Sequence, residues 1–274
     1  MKNYWVITLV LAIAFLGSTS KGYCQTVPHL PESDKRFIVR LCNPENKQGT
    51  GFFVSDSICG YLLITNRHVV SSSKTGEIFD SVQLFANNIG ANGKVISSDS
   101  HQTLYLRHGG VPLYVEHPNK SVDLIVVGIG SIGVEFSNPA GLDKLYGYKR
   151  SFICARDRFN PSAVNDGMGV QIIGFSEPLP QKDQFHISRF GHISYYPCED
   201  ISVKIDGVVQ SLDWLVIDAS SRGGDSGGPL FFSDPKSGAI CLLGFVQAIN
   251  QQDELCYAIP SYYILEVIDL LRHR

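Results

Sequence analysis

Short apolar or alternating runs, each closed within a few residues by a turn-forming side chain, limit the folds open to this chain more than any other feature. They fall at 37–41, 51–54, 61–65, 82–85, 122–127, 170–173, 185–195, 202–205, 214–217, 240–248 and 255–259. Runs of this length, apolar throughout or at every second position, predict β-strands. Only 261–274 has the three-to-four spacing of a helix, with Tyr262, Leu265, Ile268 and Leu271 on one face. Strands at this frequency, closed by one terminal helix, predict an all-β barrel protein rather than alternating βαβ units. The 26 glycines and 13 prolines, spread along 274 residues, suit the many tight turns of such a fold. The stretches 87–100 and 130–166 lack a clear strand pattern, and the second is expected to connect two barrels.

Hydrophobic residues make up 44% of the chain and charged residues 18%, which allows a sizeable core and excludes a disordered chain. The formal net charge is −3 and no long run of Lys or Arg occurs, so nothing points to nucleic acid. At the N-terminus, Lys2 is followed by an uncharged, mostly apolar run over 4–16 and then by Gly17, Ser18, Thr19 and Ser20. This is the layout of a secretory signal peptide, and the run is short of the roughly 20 residues that span a bilayer. Residues 1–24 are therefore expected to be a leader of an exported protein, periplasmic or secreted, with no stable membrane insertion after cleavage. Cleavage is expected near Ser20 or between Cys24 and Gln25.

Seven cysteines occur, at Cys24, Cys42, Cys59, Cys154, Cys198, Cys241 and Cys256. Loss of Cys24 with the leader leaves an even number that an oxidising compartment could pair, in fifteen possible ways. No CxxC or HxxxH pair is present, so neither a structural zinc site nor any other cofactor is expected.

Three segments carry chemistry. Gly223-Gly224-Asp225-Ser226-Gly227-Gly228-Pro229-Leu230 packs glycine on both sides of a serine. Such a turn reaches unusual φ and ψ values, admits a substrate main chain, and can aim backbone N–H groups at one point. Ser226 is the candidate nucleophile, with the amides of Gly224 and Ser226 as oxyanion donors. A serine needs a neighbouring imidazole to take its proton. Leu62-Leu63-Ile64-Thr65-Asn66-Arg67-His68 ends a buried strand in a histidine, which makes His68 the candidate base. The other histidines have no comparable context. Ser121-Val122-Asp123-Leu124-Ile125-Val126-Val127 places one carboxylate at the head of an apolar strand, where burial is costly without a partner. Asp123 is the candidate for orienting the imidazole, ahead of Asp80, Asp99, Asp213 and Asp218.

In the order His, Asp, Ser, these segments resemble the chymotrypsin-like serine protease superfamily, in particular its bacterial trypsin-like and HtrA-like branches. Gly49-Thr-Gly-Phe-Phe53, Ile64-Thr-Asn-Arg-His-Val-Val70, Val122-Asp-Leu124 and Gly224-Asp-Ser-Gly-Gly-Pro-Leu230 are similar to the landmark segments of that family. Gly244-Phe-Val-Gln-Ala-Ile249 followed by Tyr257-Ala-Ile-Pro260 resembles the strands beside its substrate pocket. The resemblance implies two six-stranded antiparallel β-barrels with the active site in the cleft between them, and a C-terminal α-helix. It implies a protease domain over 36–274, with the first barrel at about 36–130, the second at about 167–260 and the helix at 261–273. The implied activity is a secreted serine endopeptidase acting on protein or peptide substrates through a Ser-His-Asp triad and an acyl-enzyme. By the same resemblance Ser220 lies at the base of the S1 pocket, with Gln247, Ile249 and Leu255 around it. A neutral base flanked by bulky aliphatics would favour small aliphatic P1 residues.

The departures matter as well. Digestive members of the superfamily begin with Ile-Val-Gly-Gly, whose amine pairs with the aspartate before the serine. This chain has no such segment at the start of its first barrel, so Asp225 is expected to find another partner. HtrA-like members carry a PDZ domain after the protease domain, and peptide-gated assembly through one is not expected here. Two rival readings stand beside the enzyme: an inactive or latent protease-fold binding protein, and an α/β-hydrolase esterase. The second would need a G-x-S-x-G elbow followed by a histidine, and only His273 follows Ser226.

Overall fold

A computed structural model describes residues 28–85, 87–89, 95–97, 101–129, 147–176, 186–196, 199–205, 207–250 and 255–273. The expected leader, Cys24, Cys198, Asp99 and much of the expected inter-barrel connection lie outside the described residues.

In chain order the first half holds β1 (Ile38–Cys42), β2 (Gln48–Asp56), β3 (Gly60–Thr65) and β4 (Ser81–Phe85). A small ribbon of β5 (Asn87–Ile89) and β6 (Val95–Ser97) follows, then β7 (Gln102–Tyr105). A second ribbon of β8 (Arg107–His108) and β9 (Val111–Pro112) precedes β10 (Tyr114–Glu116) and β11 (Ile125–Ile129). The sheet runs β10-β11-β3-β2-β1-β4-β7, antiparallel throughout, and the two-residue strand β12 (Tyr148–Lys149) adds parallel to β2. Successive residues of these strands go to different cores. Val39, Phe53, Leu63 and Val127 fill the inside of this half, whereas Ile38, Phe52, Leu62 and Val126 pack toward the other half and the C-terminal helix. Burial on both faces is why the run at 61–65 is apolar without alternation.

The second half is a closed six-stranded antiparallel barrel. Its strands are β13 (Gly169–Gly174), β14 (Ile187–Tyr195), β17 (Leu215–Asp218), β18 (Pro229–Ser233), β19 (Ile240–Asn250) and β20 (Leu255–Pro260), in the order β13-β14-β17-β20-β19-β18. The hairpin β15 (Ile201–Ile205) and β16 (Val208–Leu212) stands outside it. Val170, Ile172, Ile193, Ile217, Leu230, Phe232 and Leu243 fill the barrel. The helix α1 (Tyr262–Arg272) buries Tyr262, Tyr263, Ile264, Val267 and Ile268. Arg272 donates to Asp56 of β2 at 2.6 Å, and Arg150 forks onto Asp269 at 2.9 and 3.1 Å, so the helix that follows the second barrel is tied to the first half.

The double-barrel, all-β architecture with a terminal helix is the one expected, with one difference in the first half. There the strand path is open instead of a closed six-stranded barrel. Between its edge strands β7 and β10 the chain turns aside into the β8–β9 ribbon at Gly109 and Gly110, both at positive φ, and one bond from Leu113 N–H to Leu106 O (2.9 Å) spans the gap. Two strands of the second half had no counterpart in the sequence pattern. β18 begins with Pro229, which a strand tolerates at its first residue, and β16 is mostly exposed.

Candidate active site

The turn around Ser226 is shaped by its glycines. Gly224 and Gly227 take φ of +89° and +82°, the left-handed region open to glycine. A Cβ on Gly227 would lie 2.0 Å from Thr50 O and 2.6 Å from Thr65 Oγ1. The amides of Asp225, Gly227 and Gly228 have acceptors in Arg222 O, Val246 O and Asp225 O at 2.8 to 3.1 Å. Among the described residues the amides of Gly224 and Ser226 have no acceptor.

Thr50 of β2 joins this turn to both halves. Its N–H donates to Ser226 O at 2.8 Å and its hydroxyl to Gly224 O at 2.8 Å, while the hydroxyl oxygen accepts from Phe175 N–H at 3.0 Å. Thr65 at the end of β3 donates to Thr50 O at 2.7 Å. His68 follows three residues later, in a 3₁₀ turn over Arg67–Val70.

His68 and Asp123 are in direct contact. Asp123 accepts from the His68 backbone N–H at 3.1 Å and hydrogen-bonds the ring Nδ1 through its second oxygen. Asn66 donates to Asp123 O at 2.8 Å and holds the turn in place. The expected strand head is in fact a tight turn, since β11 begins at Ile125 and Leu124 N–H closes on Val122 O at 2.8 Å. With Nδ1–H given to the carboxylate, Nε2 is the proton acceptor. The His68 side chain is 49% exposed and that of Asp123 15%, so the imidazole is reachable while its carboxylate partner is sheltered. The Ser226 hydroxyl donates to Gln247 O at 3.3 Å. Asp213, a rival carboxylate, is instead held by the hydroxyls of Tyr262 and Tyr263.

Asp225 has the partner it needs. Its side chain is fully buried and accepts from Ser176 Oγ (2.5 Å), Arg189 Nε (3.0 Å), Ser221 Oγ (3.0 Å) and Arg222 N–H (2.9 Å). Arg189 projects from β14. Sequence reasoning left it unnamed, and the available signal was an arginine inside an otherwise mostly uncharged strand, set against a carboxylate that had to be neutralised.

Of the expected pocket residues, Gln247 is buried, with its Nε2 donating to Gln210 Oε1 at 3.0 Å, and Ser220 is exposed just after β17. Ile249 and Leu255 do not share a face. Ile249 pairs with Cys256, whereas Leu255 pairs with Asn250 and Asp218, and adjacent residues of a strand point to opposite sides. The irregular register between Val246 and Ala248 shifts the pairing by one and so keeps Ile249 and Leu255 from facing each other. Among the described residues no group of three or more His, Cys, Asp or Glu side chains converges on a metal position.

Residues 49–238 match the family model described as a trypsin-like peptidase domain. No curated protein matches the chain. Among solved structures, the chain is similar to the active form of the Rv3671c protease from M. tuberculosis, with a TM-score of 0.50 and 17% identity over 86% of this chain and 81% of that one. It is also similar to the thermostable serine protease AL20 from an extremophilic microorganism, with a TM-score of 0.50 and 11% identity over 88% and 99%. At these identities the likeness shows the fold alone.

Proposed function

Because the chain belongs to the trypsin-like peptidase domain family, we propose that this serine-type endopeptidase works through Ser226, His68 and Asp123 and an acyl-enzyme intermediate. The observation that carries the reading is the orientation of His68. Its Nδ1 is committed to a sheltered carboxylate, and its exposed ring follows closely on Thr65, which is bonded through Thr50 to the Ser226 turn. Nε2 takes the Ser226 proton as Oγ attacks the scissile carbonyl, and the imidazolium then returns it to the leaving amine. The amides of Gly224 and Ser226, uncommitted within the described chain, receive the oxyanion. Water repeats the cycle on the acyl-enzyme. At rest the hydroxyl is parked on Gln247 O. A substrate N–H that takes this carbonyl releases the hydroxyl toward His68.

Substrates are proteins or peptides. The neutral side chain at Ser220 supports cleavage after small aliphatic residues over charged ones, and a P1-varied peptide panel with a clear preference for Arg or Glu would overturn that part. The layout of residues 1–24 supports export, and among the described residues no helix is long and apolar enough to cross a membrane. The protease domain is assigned to 36–274.

A fluorophosphonate probe with intact-mass detection tests the reading. One adduct on the wild type, absent from Ser226→Ala and strongly slowed in His68→Ala, is the expected result. A folded wild type that never labels would overturn it in favour of a binding protein.

A further inference from the structure

We infer that Cys154 and Cys241 form a thiol pair that closes into a disulfide on oxidation, clamping the segment after β12 onto β19. The geometry is set by backbone bonds. Ile153 bridges Leu242 in parallel, and Cys154 N–H donates to Leu242 O at 3.0 Å; Cys154 and Cys241 each stand one residue from that bridged pair, so both side chains fall on the same face, against one core cluster. The two thiols are close enough to perturb each other's acidity. Their exposures differ in a useful way. Cys154 is 3% exposed and belongs to the barrel core, whereas Cys241 is half-buried at the rim, its S–H donating to Ala239 O at 3.8 Å.

The surroundings give the two sulfurs different roles. Interaction with the Cys154 thiol holds the Cys241 thiol below its ordinary acidity range, against the effect of burial and with the help of the Arg158 guanidinium. The same interaction, and then burial, push the Cys154 thiol up. Arg158 is itself fixed by an ion pair with Asp234, whose charge opposes it at both sulfurs. Cys241 is thus the accessible nucleophile and Cys154 the resolving thiol. With a small disulfide such as oxidised glutathione, the Cys241 thiolate attacks one sulfur, its S–S bond breaks, and one thiolate leaves and is protonated. Cys154 then loses its proton to solvent and attacks Cys241 Sγ, releasing the second thiol. Two protein thiols are oxidised and one small disulfide is reduced to two thiols.

The other described cysteines are placed differently. The Cys42 S–H donates to Asn43 O at 3.8 Å, the Cys59 S–H to Ile268 O at 3.9 Å, and burial pushes the Cys256 thiol up to about 12. The Cys154–Cys241 bond would close a loop holding β13 to β18 and the Ser226 turn, and it stands independently of the catalytic reading.

The test uses the full chain in oxidised glutathione or in dithiothreitol, quenched with N-ethylmaleimide in denaturant and read by intact mass and peptide mapping. Oxidation is expected to remove two maleimide adducts together and to link the Cys154 and Cys241 peptides in the wild type. Cys154→Ser should accumulate one glutathione on Cys241, and Cys241→Ser none on Cys154. Full alkylation of both residues in the oxidised wild type, or a bond from either to another cysteine, would overturn the inference; the wild-type map needs no variant to fold.

Discussion

Arg189→Met asks what a buried carboxylate beside a nucleophile requires. The Asp225 side chain is fully buried and that of Arg189 is 16% exposed, so the pair is largely dry. Removing one partner of a buried pair costs about 3–5 kcal/mol, because the other charge is stranded. Three donors remain, from Ser176, Ser221 and the Arg222 amide, which puts the cost at the low end, about 3 kcal/mol. The carboxylate can escape that cost by turning toward water, and Asp225 lies between Gly224 and Ser226. Movement there displaces both proposed oxyanion donors. At about 1.4 kcal/mol per decade, a cost of ~3 kcal/mol spent this way lowers kcat/KM on the order of 100-fold. If the turn holds instead, the same cost falls on global stability, as a drop in Tm of roughly 6–12 °C. Peptide hydrolysis, fluorophosphonate labelling and thermal unfolding, run on one preparation, separate the two limits. Adding Asp225→Asn should recover part of the loss, since no charge is then stranded, and Arg189→Lys should fall between. If Arg189→Met stays within about twofold in kcat/KM and about 1 °C in Tm, Arg189 does not hold the turn and the reasoning fails.

Asp123→Asn should leave the fold intact and lower kcat on the order of 10⁴-fold, because the amide no longer selects the tautomer with Nε2 free; steady-state kinetics check this. Thr50→Val removes the donor to Gly224 O and the acceptor for Phe175 N–H, two buried backbone groups, and should destabilise by about 2–4 kcal/mol in urea unfolding. Gly227→Ala meets Thr50 O at 2.0 Å, whereas Gly238→Ala, also at positive φ (+69°), meets nothing within 4 Å. The first should abolish activity or soluble expression, and the second should cost only the roughly 1–2 kcal/mol of the left-handed backbone. Burial works to raise the Asp56 carboxyl, but bonds from Arg272 and from the Cys59 and Ile58 amides bring it from 3.8 to about 2. A depressed carboxylate pKa stabilises above its unfolded value, so this contribution is present above about pH 4 and lost as pH falls toward 2. The fall of Tm over that window should be steeper in the wild type than in Arg272→Met.

Local chemistry determined the parts of this protein that the sequence revealed. The strands at 38–42, 48–56, 60–65, 169–174 and 240–250 were legible because burial imposes its pattern residue by residue. The Ser226 turn was legible because a left-handed backbone and close approach to Thr50 admit only glycine. His68 and Asp123 stood out as polar side chains at the ends of apolar runs. Tertiary structure alone decided which distant groups meet. Asp225 announced that it needed a cation, but only the β13–β14 pairing carries Arg189 to it. Six cysteines allowed fifteen pairings, and only the bridge between Ile153 and Leu242 brings Cys154 and Cys241 to the same face of one ladder. The open edge of the first sheet and the one-residue shift that separates Ile249 from Leu255 depend on register. A period-two pattern repeats identically under a shift of two residues and cannot count a bulge, so register belongs to the packed molecule.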